Sequence, residues 1–239
     1  MKINKDLCID CGNCIIYCPV EAIQEKEGVV EIDFAECVEC GNCLRRSECP
    51  TEAIYQQEME YPRIIRAVMS DPYVVAPNTG IPGRGTAEIK TNDVTGRFKR
   101  GWIGMAVELG RPITGVWIYD AEKVAMVLAK HGLEFEHINP VTAMMVDSKV
   151  GKFKEELLNE KVLSAILEFA ILPEKVPAVL KTLQEIQKEV NCIFSVDIAS
   201  RCNPDLSVPH EKIIKDFGVW MSLNAKTNLG LGRPLVKED

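Results

Sequence analysis

The 239-residue chain carries 28 Lys and Arg against 35 Asp and Glu, a formal net charge of −7, and is ordinary in composition apart from ten cysteines. No stretch reaches the roughly 18 apolar residues of a membrane helix, and the opening Met1-Lys2-Ile3-Asn4-Lys5-Asp6 lacks the apolar core of a secretory signal. The net acidity argues against nucleic acid as the main partner, and a cytoplasmic, membrane-free location is expected.

The charge is uneven. Residues 1–60 hold thirteen acidic side chains against five basic ones, together with eight of the ten cysteines, while the remainder is nearly neutral. A solvated acidic surface accounts for solubility, and the same surface would steer a positively charged redox partner.

Cys8, Cys11, Cys14 and Cys18 are separated by two, two and three residues and followed by Pro19; Cys37, Cys40, Cys43 and Cys49 are separated by two, two and five and followed by Pro50. Cys-Gly-Asn-Cys recurs at 11–14 and 40–43, and Pro-x-Glu-Ala-Ile at 19–23 and 50–54, so the region is an internal repeat. Three thiolates two residues apart can wrap one compact cluster in a tight loop, with Gly12 and Gly41 permitting the backbone angles it needs. The fourth ligand must come from elsewhere. Disulfides are disfavoured in a reducing compartment, and zinc does not require two interleaved sets of four with trailing prolines.

The first motif resembles the bacterial ferredoxin signature that binds two 4Fe-4S clusters. The resemblance implies two clusters, one on Cys8, Cys11, Cys14 and Cys49, the other on Cys37, Cys40, Cys43 and Cys18. The departure is Leu44–Glu48, five residues where the shortest family form has three. All eight ligands remain, and the change bears on the local loop and on the potential of the cluster that Cys49 ligates.

Between the motifs, Val29–Asp33 reads as a short strand after a turn at Glu27-Gly28, with Ile3 and Tyr55 flanking its counterpart. Ile9, Ile15, Ile16, Val20, Ile23, Val38, Leu44 and Ile54 are expected to shield the inorganic sulfurs. A lobe of about 60 residues is near the lower limit for a hydrophobic core, so thiolate–iron bonds supply what burial cannot. Tyr61-Pro62 marks a boundary, which makes 1–61 a ferredoxin-like domain.

Residues 62–150 are read as a basic glycine-rich segment followed by a first strand-helix-strand unit. Gly80–Gly104 holds six glycines and five basic residues against Glu88 and Asp93. Glycines expose backbone N–H groups to an anion, and Arg84 or Arg97 can grip a carboxylate or phosphate bidentately. Arg84, Glu88, Lys90, Asn92, Asp93 and Arg97 are the candidate ligand-binding residues; a structural turn and an interface are the alternatives. The run Gly-Arg-Gly-Thr-Ala-Glu-Ile-Lys-Thr-Asn-Asp-Val-Thr-Gly-Arg, ending at Arg97, and Gly104–Pro112 resemble the iron–sulfur region of 6-hydroxynicotinate reductases. That family is linked to ferredoxin-dependent reduction of a pyridine-ring carboxylic acid in anaerobes, and the resemblance implies a related redox module. Members of that family are longer and carry flavin, which this chain's residues do not by themselves show.

Ile103–Leu109 and Ile113–Tyr119 read as strands, and Asp120 opens a helix through Lys130 with Val124, Val127 and Leu128 on one face, ended by Gly132. Phe135–Ile138, Val141–Val146 and Val162–Leu172 read as strands. Pro173 starts a helix carrying Val176, Val179, Leu180, Leu183, Ile186 and Val190, and Cys192–Ala199 is the next strand. A helix near His210–Phe217 and a strand near Val219–Asn224 follow. The fold class is α+β: a two-cluster ferredoxin domain, then an α/β region of split-βαβ, ACT-like character built from units at 113–138 and 162–199. The last domain is placed at 151–239. Cys192 and Cys202 read as structural, and His131, His137 and His210 as solvent-facing or capping.

The leading functional reading is an iron–sulfur electron-transfer subunit that passes low-potential electrons to a reductase site on a catalytic partner, within a homo- or hetero-oligomer. A self-contained reductase of a small anionic substrate and a redox or metabolite sensor are the alternatives.

Overall fold

A computed structural model describes residues 1–78, 80, 82, 99–110 and 115–222. Strands β1 (Lys2–Ile3) and β4 (Ile54–Tyr55) pair antiparallel, as do β2 (Ile23–Lys26) and β3 (Val29–Ile32). The two pairs are copies of one design. Asn4 N–H donates to the Ala53 carbonyl at 2.8 Å and Asp33 N–H to the Ala22 carbonyl at 2.7 Å; Cys8 and Cys37 N–H each close a turn at 3.0 Å. Ile3 and Tyr55 therefore do not flank the partner of β3, as expected from sequence, but lie in the other pair. The partner of β3 is β2, whose Ile-Gln-Glu-Lys sequence buries only Ile23 and shows no strand alternation.

The two spacers differ in helix type. Ile15–Tyr17 makes a 3-10 turn between Cys14 and Cys18, whereas helix α1 (Asn42–Arg46) occupies the longer spacer before Cys49. A short helix, α2 (Ile64–Ser70), leads out of the lobe.

The second unit is built on β5 (Ile103–Leu109), β6 (Val116–Trp117), α3 (Ile118–Ala129), β7 (Glu134–Phe135), β8 (Met145–Asp147), β9 (Lys152–Phe153), β10 (Lys161–Val162), β11 (Ala165–Ile171), α4 (Val176–Ile186), β12 (Phe194–Ser200) and α5 (Pro209–Phe217). Its main sheet has the order β12-β5-β11-β7 with every neighbouring pair antiparallel. Hence β5 and β7 run parallel, joined through α3 with β11 between them, and β11 and β12 run parallel, joined through α4 with β5 between them. Ile103, Met105, Val107 and Leu109 alternate onto one face, where Val124 and Leu128 of α3 and Val179 and Leu183 of α4 cover them.

Several elements depart from expectation. The first crossing unit starts at β5, not at residue 113, because the chain turns helical at Ile118 after only two strand residues. The stretch 141–146 becomes a 3-10 turn, Thr142–Met144, and β8; the strand from Phe135 shrinks to β7. The run 162–172 breaks after Val162, where Leu163 N–H donates to the Ser70 hydroxyl at 2.8 Å. Pro173 opens a 3-10 turn that passes into α4. Val219–Ser222 is not a strand, and residues 223–224 lie outside the described residues. The boundary placed at 150 falls inside the β8–β9 hairpin, and the main sheet draws strands from both sides of it. Among the described residues no helix is long and apolar enough to cross a membrane.

Arg66 joins the two units. It is 4% exposed, and its guanidinium bonds Glu160 through Nε, the Ala35 and Cys37 carbonyls at 2.6 and 2.9 Å, and the Asn159 carbonyl at 3.3 Å. Lys161 pairs with Glu36 beside it, and Tyr61 donates to Glu156 at 2.9 Å. Replacing Arg66 by Met leaves a buried carboxylate unpaired, so urea unfolding is expected to show a loss of about 3–5 kcal/mol. Arg66→Lys recovers little of it, since an ammonium cannot reach four acceptors as a planar fork does.

His210 on α5 meets the Ser200 hydroxyl through Nδ1 at 2.8 Å, so it is neither solvent-facing nor a cap. Burial lowers its pKa below the ordinary 6.5, against the opposing charge of Glu211. The folded state thus favours neutral imidazole, and the associated stability is complete above pH 6.5 and lost as pH falls toward the lowered folded value. Urea midpoints of wild type are expected to decline over that interval more steeply than those of His210→Gln.

Candidate metal centre

Eight cysteines line two hollows. One is bounded by Cys8, Cys11, Cys14 and Cys49, the other by Cys18, Cys37, Cys40 and Cys43. Each hollow thus takes three thiols from one motif and one from the other. The ladder dictates this crossing: β4 follows Cys49 and pairs with β1, which precedes Cys8, while β2 follows Cys18 and pairs with β3, which precedes Cys37.

The loops carrying the thiols turn through the left-handed region at equivalent places. Asp10 and Glu39 have φ of 53° and 57°, and Gly12 and Gly41 have 74° and 70°. At Gly41 the glycine is doubly required, since a Cβ would stand 2.3 Å from the Arg45 guanidinium. Asp10 accepts from Val30 N–H at 2.8 Å, and Glu39, fully buried, accepts from Arg63 Nε at 2.9 Å. Neither acid was singled out in the sequence, although both immediately precede the second cysteine of their repeat. Arg45, in the longer spacer, forms a fork onto Asp71 at 2.9 and 3.1 Å.

The thiol electrostatics follow the same grouping. Burial first, and then Cys11, Cys8 and Cys49, raise the Cys14 thiol; burial, and then Cys37 and Cys18, raise Cys40. Burial, followed by Cys37, Cys40 and Cys18, pushes Cys43 up to about 12. Cys49 goes the other way: burial opposes, but hydrogen bonds from the Thr51, Ala53 and Ile54 backbone and the Thr51 hydroxyl lower it. Ala22 N–H reaches the Cys18 sulfur at 3.1 Å.

These residues fit 4Fe-4S groups. All ten cysteines are free thiols, and no set of three His, Cys, Asp or Glu among the described residues converges closely enough for a single metal ion. Zinc would need its sulfurs about 2.3 Å from one centre, whereas a cubane takes each thiolate on a different iron. Buried thiols that raise one another's pKa are ionised by an adjacent multivalent cation. A further sign is the Ser47 hydroxyl, buried on the wall of the Cys8/Cys11/Cys14/Cys49 hollow with no hydrogen-bond partner among the described residues.

The apolar shield is one-sided. Val20, Ile23, Val38 and Ile54 are buried as expected, but Ile9 and Ile16 are 62% and 83% exposed and Leu44 is also exposed. Cys11 is exposed while Cys37, Cys40 and Cys43 are buried. The remaining candidates, Arg84, Glu88, Lys90, Asn92, Asp93 and Arg97, lie outside the described residues. Cys192 is partly buried and its thiol is pushed up to about 11 by burial and then by Asp120; Cys202 is exposed. His131 bonds Thr182 at 2.8 Å, and His137 is exposed.

A 4Fe-4S binding domain model matches residues 1–24. Over 52 residues the chain is 46% identical to pyruvate synthase subunit PorD of Methanothermobacter marburgensis, an alignment covering 22% of this chain and 58% of that subunit. The chain thus spans little more than half of the relative it matches. No solved structure matches it. The N-terminal lobe is a 4Fe-4S-binding region of ferredoxin type.

Proposed function

We propose that the chain is an electron-transfer subunit with two 4Fe-4S clusters, one on Cys8, Cys11, Cys14 and Cys49 and one on Cys37, Cys40, Cys43 and Cys18. The observation that carries this is the convergence of four thiols from two motifs on each hollow. A bound cluster supplies one-electron chemistry at a potential set by hydrogen bonds to its sulfurs and by solvent exposure. The chain's own residues do the rest. Exposed Ile9 lines the hollow with exposed Cys11, and exposed Leu7, Ile16, Asp6, Glu21, Glu25 and Glu31 belong to the same acidic lobe. Such a surface favours a redox partner with a basic face, because opposite charge raises the encounter rate. Beside the Cys18/Cys37/Cys40/Cys43 hollow, Arg66 of α2 holds the Cys37 carbonyl, and Leu163 of the second unit packs against the core of the lobe. Electrons taken up by the clusters pass to a reductase site on a catalytic partner; the relative PorD is named as a subunit of pyruvate synthase, which supports a subunit role.

The order β12-β5-β11-β7 supports reading the second unit as a split-βαβ, ACT-like sandwich. Its attached basic segment favours a second reading, a reductase that itself holds a small anionic substrate, in line with the resemblance to 6-hydroxynicotinate reductases. Flavin absorption in the purified chain would favour that reading, and co-purification of a larger polypeptide the first.

Protein purified without oxygen is expected to contain about eight iron and eight sulfide per chain. Four iron, or zinc in their place, would refute the two-cluster reading. Cys18→Ala is expected to damage the cluster of Cys37, Cys40 and Cys43, and Cys49→Ala that of Cys8, Cys11 and Cys14, as resolved by EPR; loss of the same-motif cluster in both variants would contradict the crossing.

For the basic segment, Arg84→Ala and Arg97→Ala are each expected to weaken binding of the anionic ligand by roughly 1.5–3 kcal/mol while leaving iron content unchanged. Wild-type affinity and turnover with the acceptor in both variants would leave that segment a purely structural role.

A further inference from the structure

We infer that Ser47 is a positioning residue for the outer cluster: its hydroxyl donates a hydrogen bond to the sulfur of the group held by Cys8, Cys11, Cys14 and Cys49, and raises the potential of that cluster alone. The inference rests on the two-cluster reading above.

Ser47 is 3% exposed, and its Oγ has no hydrogen-bond partner among the described residues. A buried hydroxyl is nearly always satisfied, because removing it from water without a new partner is unfavourable. Ser47 lines the hollow of Cys8, Cys11, Cys14 and Cys49. Ile3, Ile9, Val30, Ala53 and Ile54 offer no side-chain acceptor, Asn13 is exposed, and the Thr51 hydroxyl on the same wall already lies 3.7 Å from the Cys49 sulfur. No cysteine sulfur of the wall bonds the Ser47 hydroxyl either, so the acceptor left to it is a sulfur of the group that would fill the hollow.

The longer spacer explains why a hydroxyl stands there. Helix α1 ends at Ser47, which keeps helical angles (φ −76°, ψ −7°) and donates its N–H to the Cys43 carbonyl at 3.3 Å. This extra turn carries Ser47 from the motif of one cluster to the wall of the other. In the first motif the three-residue spacer forms only the 3-10 turn Ile15–Tyr17 and has no counterpart. The Cys18/Cys37/Cys40/Cys43 hollow is lined by no serine or threonine. Because reduction adds negative charge to the cluster, a donor stabilises the reduced form more than the oxidised form, and the potential rises.

The test uses the intact chain purified without oxygen. Iron analysis comes first, then redox titration with EPR of each cluster, and measurement of exchangeable-proton hyperfine couplings after transfer to D₂O. In Ser47→Ala one midpoint is expected to fall by the equivalent of roughly a tenfold change in the one-electron equilibrium constant, ~59 mV, while the other stays put. Ser47→Thr, which keeps the hydroxyl, is expected to restore most of that shift. Backbone N–H groups on the Cys18 and Cys49 sulfurs contribute exchangeable couplings of their own, so the expected result is that Ser47→Ala loses one coupling which the wild type and Ser47→Thr both show. If Ser47→Ala with full iron content keeps both midpoints and the coupling, the inference is overturned and the cluster reading stands. If Ser47→Ala does not retain iron, Ser47→Cys, a weaker donor of similar size, decides: a lowered midpoint for one cluster supports the assignment, and two unchanged midpoints overturn it. A wild-type chain without iron would overturn the cluster reading and this inference together.

Discussion

Thiols gathered around one hollow disfavour one another's ionisation, and the N-terminal lobe is built by the strand pairs that gather them. Burial and neighbouring sulfurs raise the Cys14, Cys40 and Cys43 thiols, so ionised ligands there call for a compensating cation. The lobe brings four sulfurs to each hollow, and among the described residues no three ligand groups stand close enough to share one ion. Two short antiparallel pairs do this, each tying the segment after one motif to the segment before the other. Backbone N–H groups at Cys18 and Cys49 then supply part of the charge compensation.

The second unit constrains the lobe from one side. Arg66 reaches the Ala35 and Cys37 carbonyls from α2 while its Nε holds Glu160, so the loop entering the Cys37 motif is pinned by a side chain rooted outside it. Arg63 binds Glu39 and Arg45 binds Asp71, which adds two ion pairs to the same seam. Burial makes these bonds directional and costly to leave unmade. The consequence is asymmetry between two hollows that the repeat makes alike. One is tied to the seam through the Cys37 carbonyl; the other keeps Cys11 and Ile9 in solvent.

The second unit was less legible than the first. The strand at 103–109 and the helices near 118–130 and 176–186 were readable from apolar spacing, because each presents one continuous face to a single core. The two-residue strands β6, β7 and β10 are too short to show a period, and β8 ends a 3-10 turn. The pairing of β5 with both β11 and β12 is a property of the whole sheet, invisible in any one strand. The glycine-rich candidates rest on composition alone.

By itself, the sequence determined the donor set: eight cysteines at repeated spacings with trailing prolines name the ligand chemistry, because local loop geometry follows from residue spacing. It also marked the longer spacer as the departure. Why Cys18 and Cys49 cross to the hollow of the other motif, that Asp10 and Glu39 take left-handed turns against backbone and arginine donors, and that Ser47 lines the hollow of Cys8, Cys11, Cys14 and Cys49 were decided only by tertiary structure. The physical reason is common to all three. Each depends on ladder bonds and helix turns between segments distant in the chain, and the free energy of such contacts is set by what arrives from elsewhere.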